Sequence, residues 1–372
     1  MADYIVYRTR VSVITPLHIG SGNTLLHEYD YAIHEGRTWR IDEFSLLDAQ
    51  DVDNPRMAEH LASTPPVQLL QPGDFKEDGH LFRYIIQGTP RSAAEGAEVQ
   101  EQLKDYRDCP YLPGTSLKGA LRTALAWHGW KQKNLKLDIA KLDRRREWAA
   151  QNFERDIFGA TPNKSLLRAL HVGDSQSVPA DALMLLNVRV VNIDGKLSAP
   201  IELEAIRPDT IFESQMKFDW ALFSEWARKQ GLNLSGGEWL KSLGHIVNQH
   251  AQDRIAHELH WYKTLPNGGR LASFYERLSQ SEMGEGRFLL QLGWGTGWED
   301  KTLGSRLQAN ADFMERLIKD YRLTRGRRQR GDPFPKSRRV AMAYTRNPQG
   351  KIVGETPAYP LGWVLVEMTE KR

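Results

Sequence analysis

At 372 residues, with 26 % charged and 40 % hydrophobic side chains, the chain has ordinary globular composition and enough length for two domains with separate cores. Its formal net charge of +3 makes the placement of cations more informative than their number for any polyanionic partner. One cysteine, Cys109, excludes an intramolecular disulfide framework and a multi-cysteine zinc site; no apolar run approaches the ~20 residues of a membrane span, and the charged N-terminus lacks the form of a signal peptide, so a cytoplasmic protein is expected.

Residues 4–14, YIVYRTRVSVI, set Ile5, Tyr7, Thr9, Val11 and Val13 against Arg8, Arg10 and Ser12, which predicts a half-buried strand. In TPLHIGSG, 15–22, Pro16 stops the ladder, and Gly20 and Gly22 free the backbone to turn or to approach a ligand. Two short strands about Glu35-Gly36, helical pieces over 43–49 and 56–62, an irregular connection over 63–80 and a strand over 80–88 follow. Residues 95–106 are expected as an exposed helix.

YLPGTSLKGALRTAL, 111–125, joins a Pro113-Gly114 turn to a helix capped by Thr115 or Ser116. Leu117, Ala120, Leu121, Ala124 and Leu125 form its apolar stripe, and Lys118 and Arg122 share another face. A helix over 139–158, a strand and turn over 169–175 and at least three strands over 184–219 come next. Residues 220–263 read as helical, with Trp226, Trp239, Leu243, Ile246, Val247, Ile255 and Leu259 inward. RFLLQL, 287–292, leads into GWGTGW and a helix over 311–321; the basic run 322–339 and closing strands at 340–344 and 363–368 complete the chain. The expected division is 1–168 and 169–372, with a helical insertion at about 220–285.

Three features point to one chemistry. The first turn of the 115–125 helix carries unpaired N–H groups and the positive end of the helix dipole, with Lys118 and Arg122 beside it and Gly119 permitting close approach. A strand, glycine loop, helix order at Gly293, Trp294, Gly295, Thr296 and Gly297 suits phosphates held on backbone amides. Neither segment has the dinucleotide spacing G-x-G-x-x-G or the triphosphate-loop pattern, so a polynucleotide backbone is the expected anion. The cations Arg327, Arg328, Arg330, Lys336, Arg338 and Arg339 and the loop His18, Gly20, Ser21 and Gly22 join the candidate set, with Gly114, Thr115 and Ser116 at the helix start. Trp294 and Trp298 either stack on unpaired bases, at roughly 1–3 kcal/mol each, or pack in the core.

His245, His250, His257 and His260 lack the H-E-x-x-H zinc spacing and read as structural, so neither metal nor cofactor is expected. His18 is the one candidate general base, able as a neutral imidazole to take a ribose 2′-OH proton; Asp174 and Asp209 read as turn caps.

The motifs TPLHIGSG, YLPGTSLKGALRTAL, IFG (157–159), HVGDS (171–175), GWGTGW and PLGW (360–363) resemble the RAMP superfamily of CRISPR-associated proteins, most closely the capping, fifth subunit of type III-A Csm effector complexes. The resemblance implies an α+β fold of two ferredoxin-like (RRM-like) domains with glycine-rich loops. It implies binding of the 3′ part of a guide RNA (crRNA) at the end of a filament of backbone RAMP subunits. Other Csm-complex subunits and target RNA are the further partners, with no target cleavage by this subunit. Transferred by position, Lys118 and Arg122 contact guide phosphates, and the 20–22 and 293–297 loops hold the RNA backbone. The alternative is a metal-independent endoribonuclease of the same superfamily using His18. Residues 43–105 and 220–285 match no motif of the family.

Overall fold

The alternation of residues 4–13 is realised as strand β1 (Tyr4–Val13), with Thr9, Val11 and Val13 buried and Arg8 and Arg10 exposed. The computed structural model describes residues 3–50, 59–61, 63–324, 328–349 and 352–371. After β1 come β2 (Gly20–Leu26), β3 (Tyr31–His34), β4 (Arg37–Ile41), α1 (Glu43–Asp48), β5 (Phe82–Gln87) and β6 (Glu98–Gln102). Helices α2 (Gly114–Gln132) and α3 (Gln151–Phe158) precede strands β7 (Leu170–Val172), β8 (Leu183–Asn192), β9 (Ile201–Ile206) and β10 (Ile211–Asp219). Then follow α4 (Glu225–Lys229), α5 (Gly237–Lys241), α6 (Leu243–Thr264), α7 (Gly269–Ser279) and β11 (Arg287–Gln291). Helices α8 (Ser305–Gln308) and α9 (Ala311–Asp320) lead to β12 (Ser337–Arg346), β13 (Ile352–Tyr359) and β14 (Trp363–Glu370).

The strands form a mixed α+β architecture of three sheets, ordered β11-β14-β1-β10-β7, β13-β12-β8-β9-β6-β2 and β3-β4-β5. Every pairing between these strands is antiparallel except that of β6 with β9. Both edges of β1 are filled by strands from beyond residue 168, β14 on one side and β10 on the other, and β6 lies beside β9. The two larger sheets therefore draw on both halves of the chain, and position 168 is not a break between sheets.

The stripe of α2 (Leu117, Leu121, Ala124, Leu125) and Ile246 and Val247 of α6 share one core with Val11, Val13, Met216, Phe288, Val364 and Val366 of the five-stranded sheet. Each such Leu, Ile, Val, Met or Phe side chain, fully buried, contributes about 1.5–3 kcal/mol. Gly129 lets α3 and α5 close on α2, since a methyl there would stand 2.7 Å from both Ile157 and the Trp239 ring.

Several expectations fail for identifiable reasons. Residues 95–106 hold strand β6 instead of a helix: pairing with β2 and β9 buries Val99 and Gln102. The helix expected over 139–158 is confined to α3, preceded by single 3-10 turns at Ile139–Lys141 and Arg146–Trp148. Trp226 is 62 % exposed, while Trp239 packs inward as expected. Most of the helical piece expected over 56–62 lies outside the described residues.

Candidate nucleic-acid interface

Helix α2 begins at Gly114 and has no cap from Thr115 or Ser116. Its N-cap position is Pro113, and Asp174 Oδ1, following β7, accepts the Gly114 N–H at 2.7 Å. A glycine is required there, because a methyl would come within 2.3 Å of the Val172 carbonyl oxygen. Asp174 thus supplies the negative charge that the helix dipole favours, and one of the amides expected to face an anion is taken.

GWGTGW forms a loop in which Gly293, Gly295 and Gly297 hold φ of 88°, 88° and 99°. Gly293 lies against the His18 carbonyl oxygen, where a methyl would stand 2.6 Å away, and the Trp294 N–H donates to that oxygen at 2.7 Å. The two glycine segments are therefore joined directly. Together with the first turns of α2 they line a cleft of about 440 Å3, with Gly20, Thr115, Ser116, Gly119, Arg122, Gly293, Trp294 and Thr296 on its walls. Three segments spread across the sequence converge on one place.

Asp300 and Lys301, just beyond the glycine loop, also line the cleft and were missed by sequence reasoning. Burial, and the Arg339 guanidinium nearby, hold the Lys301 ammonium below its usual range. Arg339 sits 4.9 Å over the Trp294 ring, and Lys118 stands outside the cleft on the flank toward His171; burial lowers the pKa of both. Among the described residues Lys118, Lys301 and Arg339 form no ion pair and no side-chain hydrogen bond. Arg122 lies on the cleft wall but is paired with Glu154.

Four cations of the basic segment, Arg328, Arg330, Lys336 and Arg338, are paired with acids of the chain itself, which leaves them less available to phosphates. Arg328 makes a two-pronged contact with Glu315, at 2.6 and 2.8 Å, and pulls that carboxyl down to about 2. Arg330 meets Asp312 at 2.7 Å, and Lys336 pairs with Asp332. Arg338 is buried with Arg254 among Glu258 and Glu299, at 2.9 Å from each carboxylate. Arg327 lies outside the described residues.

His18 is 4 % exposed, with Nδ1 2.6 Å from the Glu204 carbonyl oxygen, and burial lowers its pKa. The Glu204 carboxylate below it accepts from Lys104 Nζ (2.6 Å), Tyr84 (2.8 Å) and the Gln102 amide (3.0 Å). The imidazole thus braces the floor beneath the cleft and is largely withdrawn from solvent. Gly20, Ser21 and Gly22 belong to the start of β2, and the Ser21 hydroxyl is committed to Glu101 at 2.7 Å. Trp298 packs on Phe334 at 5.0 Å, away from Trp294. His250 is buried against Trp127, pushed down to about 3 by desolvation and by Arg254, and no metal-holding cluster of His, Cys, Asp or Glu occurs among the described residues. Asp209 occupies a left-handed turn position (φ 67°). No described helix is long and apolar enough to cross a membrane.

Residues 10–299 match the RAMP superfamily, spanning β1, the helix start and both glycine segments. The chain belongs to the RAMP superfamily. It is 23 % identical to the CRISPR system Cms protein Csm5 of Methanocaldococcus jannaschii, over 98 % of this chain and 90 % of that protein. The Csm5 protein of Streptococcus thermophilus is 25 % identical over 58 % of this chain and 64 % of its own length. Among solved structures, a chain of a Csm-crRNA-target RNA ternary complex from a type III-A CRISPR-Cas system superposes with a TM-score of 0.68 at 23 % identity, covering 97 % of this chain and 100 % of that one. The crystal structure of Csm5 from T. onnurineus gives 0.62 at 22 % identity, over 95 % of this RAMP protein and 99 % of its own chain.

Proposed function

We propose that this RAMP protein is the guide-RNA-binding capping subunit of a type III-A CRISPR (Csm) effector complex, holding the 3′ part of the crRNA and ending the backbone filament without cleaving target itself. The convergence of the α2 start, both glycine loops, Trp294 and the unpaired Lys301 on one cleft, with the unpaired Arg339 over the Trp294 ring, carries this reading. Phosphates need cations and unhindered backbone, and an amphipathic ring beside them suits an unpaired base. The Csm5 relatives and the crRNA-containing neighbour support a Csm assembly with crRNA, target RNA and other Csm subunits as partners.

The five-stranded sheet supports one ferredoxin-like unit. β1, β7, β10 and β14 stand in the order β14-β1-β10-β7, with α2 between β1 and β7 and α6 between β10 and β14. The six-stranded sheet is the second unit, so the two domains interleave along the chain. The burial of His18 favours binding over the endoribonuclease alternative, since a general base must reach the proton it abstracts.

Binding of a single-stranded oligoribonucleotide, followed by fluorescence anisotropy against salt, tests this reading. Lys301→Gln with Arg339→Gln should weaken binding and reduce the slope of log K on log salt by about 0.7 for each cation removed. A folded double variant with unchanged affinity and slope would refute it.

A further inference from the structure

Trp298, expected either to stack on unpaired bases or to pack in the core, does not line the cleft. It lines a second cavity of about 340 Å3, walled also by Phe153, Phe313 and Tyr321. Arg122, Thr123 and Lys301 line both spaces and so form the rim between them. The volume lies at the small end of the roughly 300–1,000 Å3 of small-molecule pockets, enough for one flat ring system and too little for a folded segment. The walls are aromatic and aliphatic, with Thr123 and Thr302 on the lining; Arg122, Arg146 and Lys301 there stand beside the carboxylates of Glu147 and Glu154, the second of which pairs with Arg122.

Resting on the reading of the cleft as an RNA site, we infer that this cavity receives one unpaired nucleobase of the strand held there, swung across the Arg122–Thr123–Lys301 rim. Lys301, the rim cation that forms no ion pair among the described residues, keeps the sugar-phosphate chain in the cleft, and the aromatic walls take the π-face of the base. Any of the four bases has such a face, so the pocket selects for an unpaired base and not for a sequence. Single-stranded RNA presents bases of this kind, whereas a duplex keeps them stacked. A protein side chain from a neighbouring subunit is the competing occupant, and the unpaired Lys301 on the rim favours a phosphate-bearing strand over it.

The test uses the full chain with two probes: a short oligo(U) containing 4-thiouridine, and the matching abasic sugar-phosphate strand. Irradiation should place crosslinks on peptides carrying Phe153, Trp298 or Tyr321. Ala149→Trp, which fills the cavity from its wall, should weaken the base-bearing strand about tenfold and leave the abasic strand unchanged, the loss matching one stacked base. Crosslinks confined to Trp294 and the glycine loops, or an equal loss for both strands, would overturn the pocket while leaving RNA binding in the cleft intact. Crosslinking on the unmutated chain decides the matter if Ala149→Trp fails to fold. A chain that binds neither strand removes the RNA reading of the cleft together with the pocket.

Discussion

Asp300 gives a sharp test of how the cleft is supported. The side chain is 7 % exposed; burial pushes its carboxyl up to about 7, with Glu258 and Glu299 adding to the rise and Arg254 opposing it at 3.3 Å. Its Oδ2 has no hydrogen-bond partner in the structure. Below the ordinary value of 3.8, folded and unfolded chains are both protonated at this group. Between 3.8 and about 7 the folded chain holds a proton that the unfolded chain releases, so stability falls as pH rises through this window and stays low above it. The slope is about 1.4 kcal/mol per pH unit, which gives roughly 4 kcal/mol across the window as a ceiling. Asp300→Asn removes the titration while keeping the shape. Urea unfolding followed by tryptophan fluorescence from pH 5 to 8 should show the variant gaining on the wild type as pH rises, by at most that slope, and level above about pH 7. Because Asp300 also lines the cleft beside Lys301, the variant should bind single-stranded RNA more tightly than the wild type at pH 8 and equally at pH 5. Parallel stability curves for the two proteins would refute the buried-proton account.

Two further substitutions probe the convergence of the three segments. Asp174→Ala removes the acceptor on the Gly114 N–H and should cost about 1 kcal/mol in chemical unfolding, while RNA affinity rises through loss of a negative charge at the helix start. Gly293→Ala forces a methyl to within 2.6 Å of the His18 carbonyl oxygen at a φ of 88°, and should lower thermal stability by about 1–3 kcal/mol and weaken RNA binding with it; an unchanged melting curve would mean that the two loops are not locked together.

The parts of the site carried by local pattern were legible. The α2 stripe, the alternation of β1 and the strand, glycine loop, helix order around GWGTGW all stand where periodicity and glycine spacing put them. What was missed depends on contacts distant in sequence. Nothing near Thr115 announces that Asp174 caps the helix. EVQEQ, 98–102, has the polarity of an exposed helix and becomes a strand only because β2 and β9 flank it. The basic run looked free because the acids that neutralise Arg328, Arg330 and Arg338 lie on α6, α9 and the turn after GWGTGW. Density of charge therefore does not tell which cations are free, and only the folded chain shows that Lys301 and Arg339 are without an acidic partner among the described residues while Arg328, Arg330 and Arg338 have one.

Strand direction explains why distant loops meet at one cleft. β11 and β1 both run antiparallel to β14, and β7 and β1 both run antiparallel to β10, so β1, β7 and β11 share one direction. Their C-terminal ends open on the same side of the sheet: β1 feeds the His18 loop, β11 feeds GWGTGW, and the turn after β7 carries Asp174 to the start of α2. β14 locks this side, with Trp363 accepting from the Ile14 N–H at 2.8 Å and donating its own N–H to Thr15 Oγ1 at 2.9 Å. The cleft is thus a property of the fully assembled sheet, and neither half of the chain can assemble it without the other.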